Sequence, residues 1–89
     1  MNQVMNFTPK SYEGLSKMLI WHRKKSKINQ QTLADLAGIS RTAVQRLEKG
    51  TVPVQVDTLW KVLEILNVKM NYSSPIMTQY IEEKLANNI

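Results

Sequence analysis

Residues Gln30 to Gly50 read QQTLADLAGISRTAVQRLEKG. The first eight carry the pattern of an amphipathic helix, Gly38 interrupts it, and the pattern resumes at once after Ser40. Asn29 is placed to cap the first helix, Gln30 to Ala37, through its side-chain oxygen. Gly38 stands where the chain leaves that helix, because glycine enters the left-handed conformation needed there without a Cβ penalty. Ile39 follows, an apolar residue of the kind that tucks back onto the helix just left. Ser40 then caps a second helix, Arg41 to Lys49, which Gly50 closes. Leu33, Leu36 and Ala37 are expected to form the buried stripe of the first helix, with Ala34 at the close crossing. Val44 and Leu47, three apart, join the same core. Arg41, Thr42, Gln45 and Arg46 are left facing outward.

Two short helices joined by a tight glycine turn make a helix-turn-helix. The outward set on the second helix has the chemistry of base reading. Arginine pairs bidentately with guanine, glutamine with adenine, and the threonine methyl meets the thymine methyl. Charge points the same way. The formal net charge is +5, and it is gathered in one region. Eight Lys or Arg lie between Lys17 and Lys49, opposed only by Asp35 and Glu48. From Gly50 onward, three Lys face Asp57, Glu64, Glu82 and Glu83. A concentrated basic region suits a polyanion, nucleic acid before membrane.

The flanks complete a small domain. Pro9 argues against a helix through residues 1–10, which read as an arm. A helix fits from about Ser11 to Lys25, with Ser11 as cap, Glu13 in its first turn, and Leu15, Met18, Leu19 and His22 on one face. The loop TVPVQV leads to a helix from about Val56 to Asn67, where Leu59, Val62, Leu63 and Leu66 share a face. Next, VKMNY alternates Val68, Met70 and Tyr72 with Lys69 and Asn71, which predicts a strand of period two. SSP ends it, and Ile76, Met77, Tyr80, Ile81 and Leu85 of the tail fall on one helical face.

The segment from Asn29 to Gly50 closely resembles the helix-turn-helix of the Cro/repressor (Xre) family. The residues that carry the likeness are Asn29, Gln30, Leu33, Ala34, Gly38, Ile39, Ser40, Val44, Glu48 and Gly50. With the flanking helices it covers about residues 11–67. The resemblance implies that Arg41, Thr42, Gln45 and Arg46 read bases and that Asn29, Gln30, Ser40 and Lys49 hold phosphates. It also implies a structural pair between Arg23 and Glu48. His22 stands where the family usually has leucine and reads as a core histidine rather than a metal ligand. VKMNY replaces the family's usual fifth helix, and in that layout the chain is similar to HipB-type antitoxins.

The expected fold class is therefore all-α: a four-helix domain of Cro/repressor type over 11–67, a dimerisation strand at 68–72, and a tail at 73–89 that is a further candidate helix. A lone five-residue strand needs a partner, and the same strand of a second copy supplies one across a two-fold axis. Trp60 and Ile65, off the main stripe of their helix, either join Val68, Met70 and Tyr72 in that interface or cover their own domain. Ile20, Trp21 and the tail either present an apolar patch to a partner or cover each other.

Two functions remain open. One is an antitoxin that represses its own operon and binds a toxin, of which the resemblance implies a HipA-like kinase. The other is a stand-alone repressor of phage or mobile-element type with no toxin partner. Both bind a palindromic double-stranded operator as a homodimer. An enzyme is not expected. There is no cysteine and a single histidine, no glycine-rich phosphate loop follows a strand, and Glu82 and Glu83 diverge by about 100° on a helix. Neither a metal nor another cofactor is expected. The lack of cysteine fits a reducing, cytoplasmic setting. The N-terminus lacks signal-peptide order, and no apolar run approaches the roughly 20 residues that span a bilayer.

Overall fold

A computed structural model describes residues 4–87. It contains five helices: α1 Tyr12–Lys25, α2 Gln30–Ala37, α3 Arg41–Lys49, α4 Val56–Leu66 and α5 Met77–Asn87. The first four pack round one core of Leu19, Leu33, Ala34, Val44, Leu47, Val62, Leu63 and Leu66. Each of α1, α2 and α3 begins on a side chain that accepts a hydrogen bond from an orphan backbone N–H. Ser11 accepts from Gly14, Asn29 from Thr32 and Ser40 from Ala43, at 3.0, 2.8 and 3.0 Å. Caps of this kind contribute about 0.5–2 kcal/mol each, which matters for α2 and α3, since helices this short do not form alone.

The turn between α2 and α3 closes as its sequence predicts. Gly38 is left-handed with φ of 68°. Its N–H donates to the Asp35 carbonyl at 3.3 Å, while the Ile39 N–H donates to the Ala34 carbonyl at 3.0 Å. This doubly bonded glycine ending carries Ile39 back against the core. Helix α4 ends in the same manner on Asn67, with φ of 56° and the Val68 N–H donating to the Leu63 carbonyl at 3.0 Å. Asn67 thus caps α4 instead of extending it.

The buried stripe of α2 differs from expectation. Leu33 and Ala34 are the buried pair, whereas Leu36 is 58% exposed. At about 100° per residue Leu36 lies roughly 110° from the centre of the arc formed by Leu33, Ala34 and Ala37, so it looks outward. On α1, Ser16 is buried among apolar neighbours because its hydroxyl donates to the Leu47 carbonyl at 2.7 Å.

The expected strand is not a strand in the single chain, and no strand occurs among the described residues. Val68 and Met70 rest against the core, while Lys69 and Asn71 are exposed, so the alternation is real. Yet residues 69–72 make no backbone-to-backbone hydrogen bond among the described residues. The tail is the fifth helix. It buries none of its residues, and the molecule has a radius of gyration of 15.5 Å, against about 12 Å for a compact chain of this length.

Gly50 packs against α1. Its φ is 69°, and an added Cβ would meet the Ser16 Oγ at 2.9 Å and the Glu13 Cα at 3.1 Å. Gly38 has open space at the corresponding position. Gly38→Ala is expected to cost about 1–2 kcal/mol, the left-handed penalty alone. Gly50→Ala adds a backbone clash and should cost about 3 kcal/mol or more. Urea unfolding of both variants checks this, and equal losses would show that α1 yields without strain.

Candidate nucleic-acid interface

Helix α3 divides cleanly by face. Val44 and Leu47 are buried, Ala43 and Glu48 are half-buried, and Arg41, Thr42, Gln45, Arg46 and Lys49 are exposed. On a helical wheel those five span about 140°, with Arg41 and Arg46 at the edges and Gln45, Lys49 and Thr42 between them. The side chains of Arg41, Thr42, Gln45 and Lys49 make no hydrogen bond among the described residues. They are free to meet a ligand.

Arg46 is different. Its Nη2 donates to the Pro53 carbonyl at 3.1 Å. The Tyr12 hydroxyl donates to the Val52 carbonyl at 2.8 Å, with the Arg46 carbonyl a more distant acceptor at 3.4 Å. One arginine therefore serves both the exposed face and the loop between α3 and α4. A guanidinium has five N–H donors, so the bond to Pro53 leaves others free to pair with a base.

The base of α3 is anchored by charge. Arg23 Nε donates to Glu48 Oε2 at 2.6 Å and Arg23 Nη2 to Glu48 Oε1 at 3.1 Å. Both side chains are almost wholly buried, at 11% and 8% exposure. Arg23 Nη1 also donates to the Ile28 carbonyl at 3.0 Å, and Gln30 Nε2 donates to Glu48 Oε1 at 2.9 Å. The cluster joins the end of α1, the following loop, the start of α2 and the end of α3. Among the described residues no buried side-chain nitrogen or oxygen lacks a partner.

The residues expected to hold phosphates sit at helix ends. Asn29 and Ser40 are exposed and act as caps, which leaves the Asn29 amide N–H groups and the Ser40 hydroxyl proton as donors. Gln30 is half-buried and its amide is oriented by Glu48, a link not foreseen from sequence. Lys49 is exposed on the α3 face. His22 is half-buried, with Nδ1 against the Met18 carbonyl at 2.8 Å. No group of three or more metal-ligating side chains comes together among the described residues.

The residues expected at a dimer interface are brought together in part. Trp60, Val68 and Met70 line one groove between α4 and the segment after it. Tyr72 is attached to Met70 through a hydroxyl–sulfur contact of 3.3 Å. Ile65 lies about 140° round α4 from Trp60 and does not line that groove. No described helix is long and apolar enough to cross a membrane.

Capped helices crossing at a glycine turn, with the polar face of the second exposed, define a helix-turn-helix protein of the DNA-binding regulatory class. A helix-turn-helix family model matches residues 19–73, and the chain belongs to that family, in its Cro/repressor (Xre) branch. Two similar solved structures are described as "MDT Protein" and "Structure of HipA-HipB-O2-O3 complex". Each has a TM-score of 0.68 at 19% identity, over 81% of this chain and 99% of the other. At that identity the likeness is one of fold. No curated protein matches the chain.

Glu48→Ala leaves the Arg23 guanidinium buried without its carboxylate and is expected to cost about 3–5 kcal/mol. Replacing both partners with apolar residues, Arg23→Met with Glu48→Leu, should recover most of that loss. Denaturant unfolding of the single and double variants decides the matter. A double variant as unstable as the single would place the stabilisation in the Ile28 and Gln30 contacts instead.

Proposed function

We propose that the protein is a homodimeric transcriptional repressor that reads a palindromic operator and is the antitoxin of a toxin–antitoxin operon, binding a HipA-like kinase and repressing its own genes. The observation that carries the DNA half is the exposed face of α3. It holds three cations, Arg41, Arg46 and Lys49, together with Thr42 and Gln45, and no carboxylate. In this reading Arg41, Thr42, Gln45 and Arg46 enter the major groove and pair with base edges. Asn29, Gln30, Ser40 and Lys49 donate to phosphates on either side, which fixes register. The arm is 1–10, the DNA-binding unit 11–67, the dimer element 68–72 and the tail 73–89.

The dimer half rests on the unpaired backbone of residues 69–72 beside exposed Trp60 and Tyr72. A segment with free N–H and C=O groups is a template for another strand. Pairing with its own copy brings Val68, Met70 and Tyr72 to a two-fold axis, with Trp60 beside it. Two α3 helices then face half-sites about 34 Å apart or a multiple of that distance. The antitoxin half rests on the likeness in fold to a complex described as containing HipA and HipB.

Arg41→Ala and Arg46→Ala are each expected to weaken specific operator binding by about 1–3 kcal/mol and non-specific binding much less. Titrations against operator and random duplex at fixed salt measure both terms. Equal losses would mean that these arginines hold only phosphates. The toxin is tested by co-expression with the product of the adjacent gene and pull-down of the full chain. Capture together with operator binding is expected. If the product does not bind while the chain still holds DNA, the reading reduces to a stand-alone repressor of phage or mobile-element type.

A further inference from the structure

Helix α5 has eleven residues and buries none of them. A helix of that length is marginal in water without a surface to pack on. Its apolar residues Met77, Tyr80, Ile81 and Leu85 fall within a sector of about 140°, and Tyr80, Ile81 and Leu85 are 52%, 49% and 79% exposed. Glu83 and Glu82 lie about 60° beyond the two edges of that sector. Lys84 falls inside it, with a stem long enough to carry its ammonium to the edge.

A matching surface lies on α1. Trp21 is 56% exposed and projects from the side of α1 opposite its buried residues. It shares an apolar hollow with Phe7, Met18 and His22, above Gly14, where there is no side chain. Lys17 lies at the rim, loosely held by Glu13 at 3.2 Å with both side chains exposed. Lys25 places its ammonium 5.7 Å from the centre of the Trp21 ring. On the wheel Lys17 and Lys25 flank Trp21 by about 40° on either side. One surface is apolar with acidic edges and the other is apolar with basic edges.

We propose that α5 of one copy docks on the α1 face of the other, with its apolar sector over Trp21 and Met18 and its two glutamates beside Lys17 and Lys25. The inference rests on the dimer pairing through residues 68–72. Antiparallel pairing about Met70 sets the partner's Tyr72 opposite Val68. Val68 lines a groove with Leu15 and Met18, and Met18 also lines the Trp21 hollow. From Tyr72 to the start of α5 at Met77 is a reach of up to about 17 Å, enough to bring the partner's helix to the hollow. Its length of about 16 Å exceeds the roughly 9 Å from Leu15 to Trp21 along α1. Within one chain the hollow stays open, because Ile76, Met77 and Tyr80 turn toward Met70 and Tyr72 instead. The exchange closes both apolar surfaces and adds a second clasp to a short ribbon.

The chain has no cysteine, so engineered pairs report cleanly. Full-length Lys17→Cys/Glu83→Cys and Lys25→Cys/Glu82→Cys, with the two opposite pairings, are oxidised and run without reductant. A covalent dimer from at least one pairing is expected. Lys17→Glu/Lys25→Glu should weaken self-association tenfold or more at low salt, and mixing it with Glu82→Lys/Glu83→Lys should restore the association. A covalently closed monomer would assign α5 to its own chain and overturn the exchange. Protection of the Lys17→Cys thiol only on adding the adjacent gene's product would assign the hollow to that partner, with the same effect. Sedimentation separates the two readings. A wild-type dimer that Met70→Pro dissolves, with no cross-link, removes the exchange and leaves the ribbon. A wild-type monomer removes both.

Discussion

The buried pair of Arg23 and Glu48 is the constraint on which the placement of α3 depends. A guanidinium and a carboxylate taken out of water lose several kcal/mol of solvation each, and their mutual attraction offsets this only where every remaining donor and acceptor is used. Here they are used. Glu48 receives two bonds from Arg23 and one from Gln30, and Arg23 gives its third to the Ile28 carbonyl. Such geometry tolerates little displacement, so it fixes α1, α2 and α3 relative to one another. Apolar packing alone is non-directional and would permit α3 to slide or roll. A roll of one position either way, about 100°, would carry three of the five residues out of the exposed arc.

The division of tasks along α3 follows from this anchoring. Val44 and Leu47 supply burial, Glu48 supplies direction, and Gly50 permits the close approach that lets the Leu47 carbonyl accept from Ser16. Arg41, Thr42, Gln45 and Lys49 carry no structural duty among the described residues. A side chain already committed to the fold has to exchange one bond for another on binding, whereas a solvated one gives up only water and rotamer freedom. Arg46 is the exception. Its link to Pro53 holds the guanidinium in place before DNA arrives, which reduces the ordering cost at one of the two edges of the face.

The readable part of the sequence was the part set by local rules. Ser11, Asn29 and Ser40 as caps, and Gly38 and Gly50 as ends, follow from orphan backbone groups that any short helix must satisfy. These signals placed α1 to α4 within a residue or so. Local rules run out where a neighbour decides. Leu36 is apolar and on a helix, but the crossing of α2 with α3 selects Leu33 and Ala34. Ser16 is buried because a carbonyl 31 residues away accepts its hydrogen bond, which no local pattern signals. Gln30, expected by resemblance to hold phosphate, is oriented in the single chain by Glu48, 18 positions on, a link that no local rule supplies. Trp60 and Ile65 are both off-stripe, yet they lie about 140° apart on α4, and only Trp60 lines the groove with Val68 and Met70.

VKMNY shows the same limit at a larger scale. Its alternation is a property of one chain, and the structure keeps it: Val68 and Met70 lean on the core while Lys69 and Asn71 face out. A strand is a property of two segments, because its hydrogen bonds lie between them. The features left incomplete in the single chain are the bare backbone of 69–72, exposed Trp60 and unpacked α5, and none of them involves a residue of α3. The domain is thus complete where it would meet DNA and incomplete elsewhere. Under the proposed dimer this arrangement has a consequence. Residues that gain partners only in the dimer make stability depend on protomer concentration. On that proposal a monomer would present a single formed α3, and four side chains pairing with bases would supply a few kcal/mol of discrimination. Joining two such faces rigidly makes the second contact intramolecular, so the gain in affinity comes from geometry without any new contact to DNA. In the proposed dimer the C-terminal quarter of the chain would then set how far contact by α3 becomes occupancy of an operator.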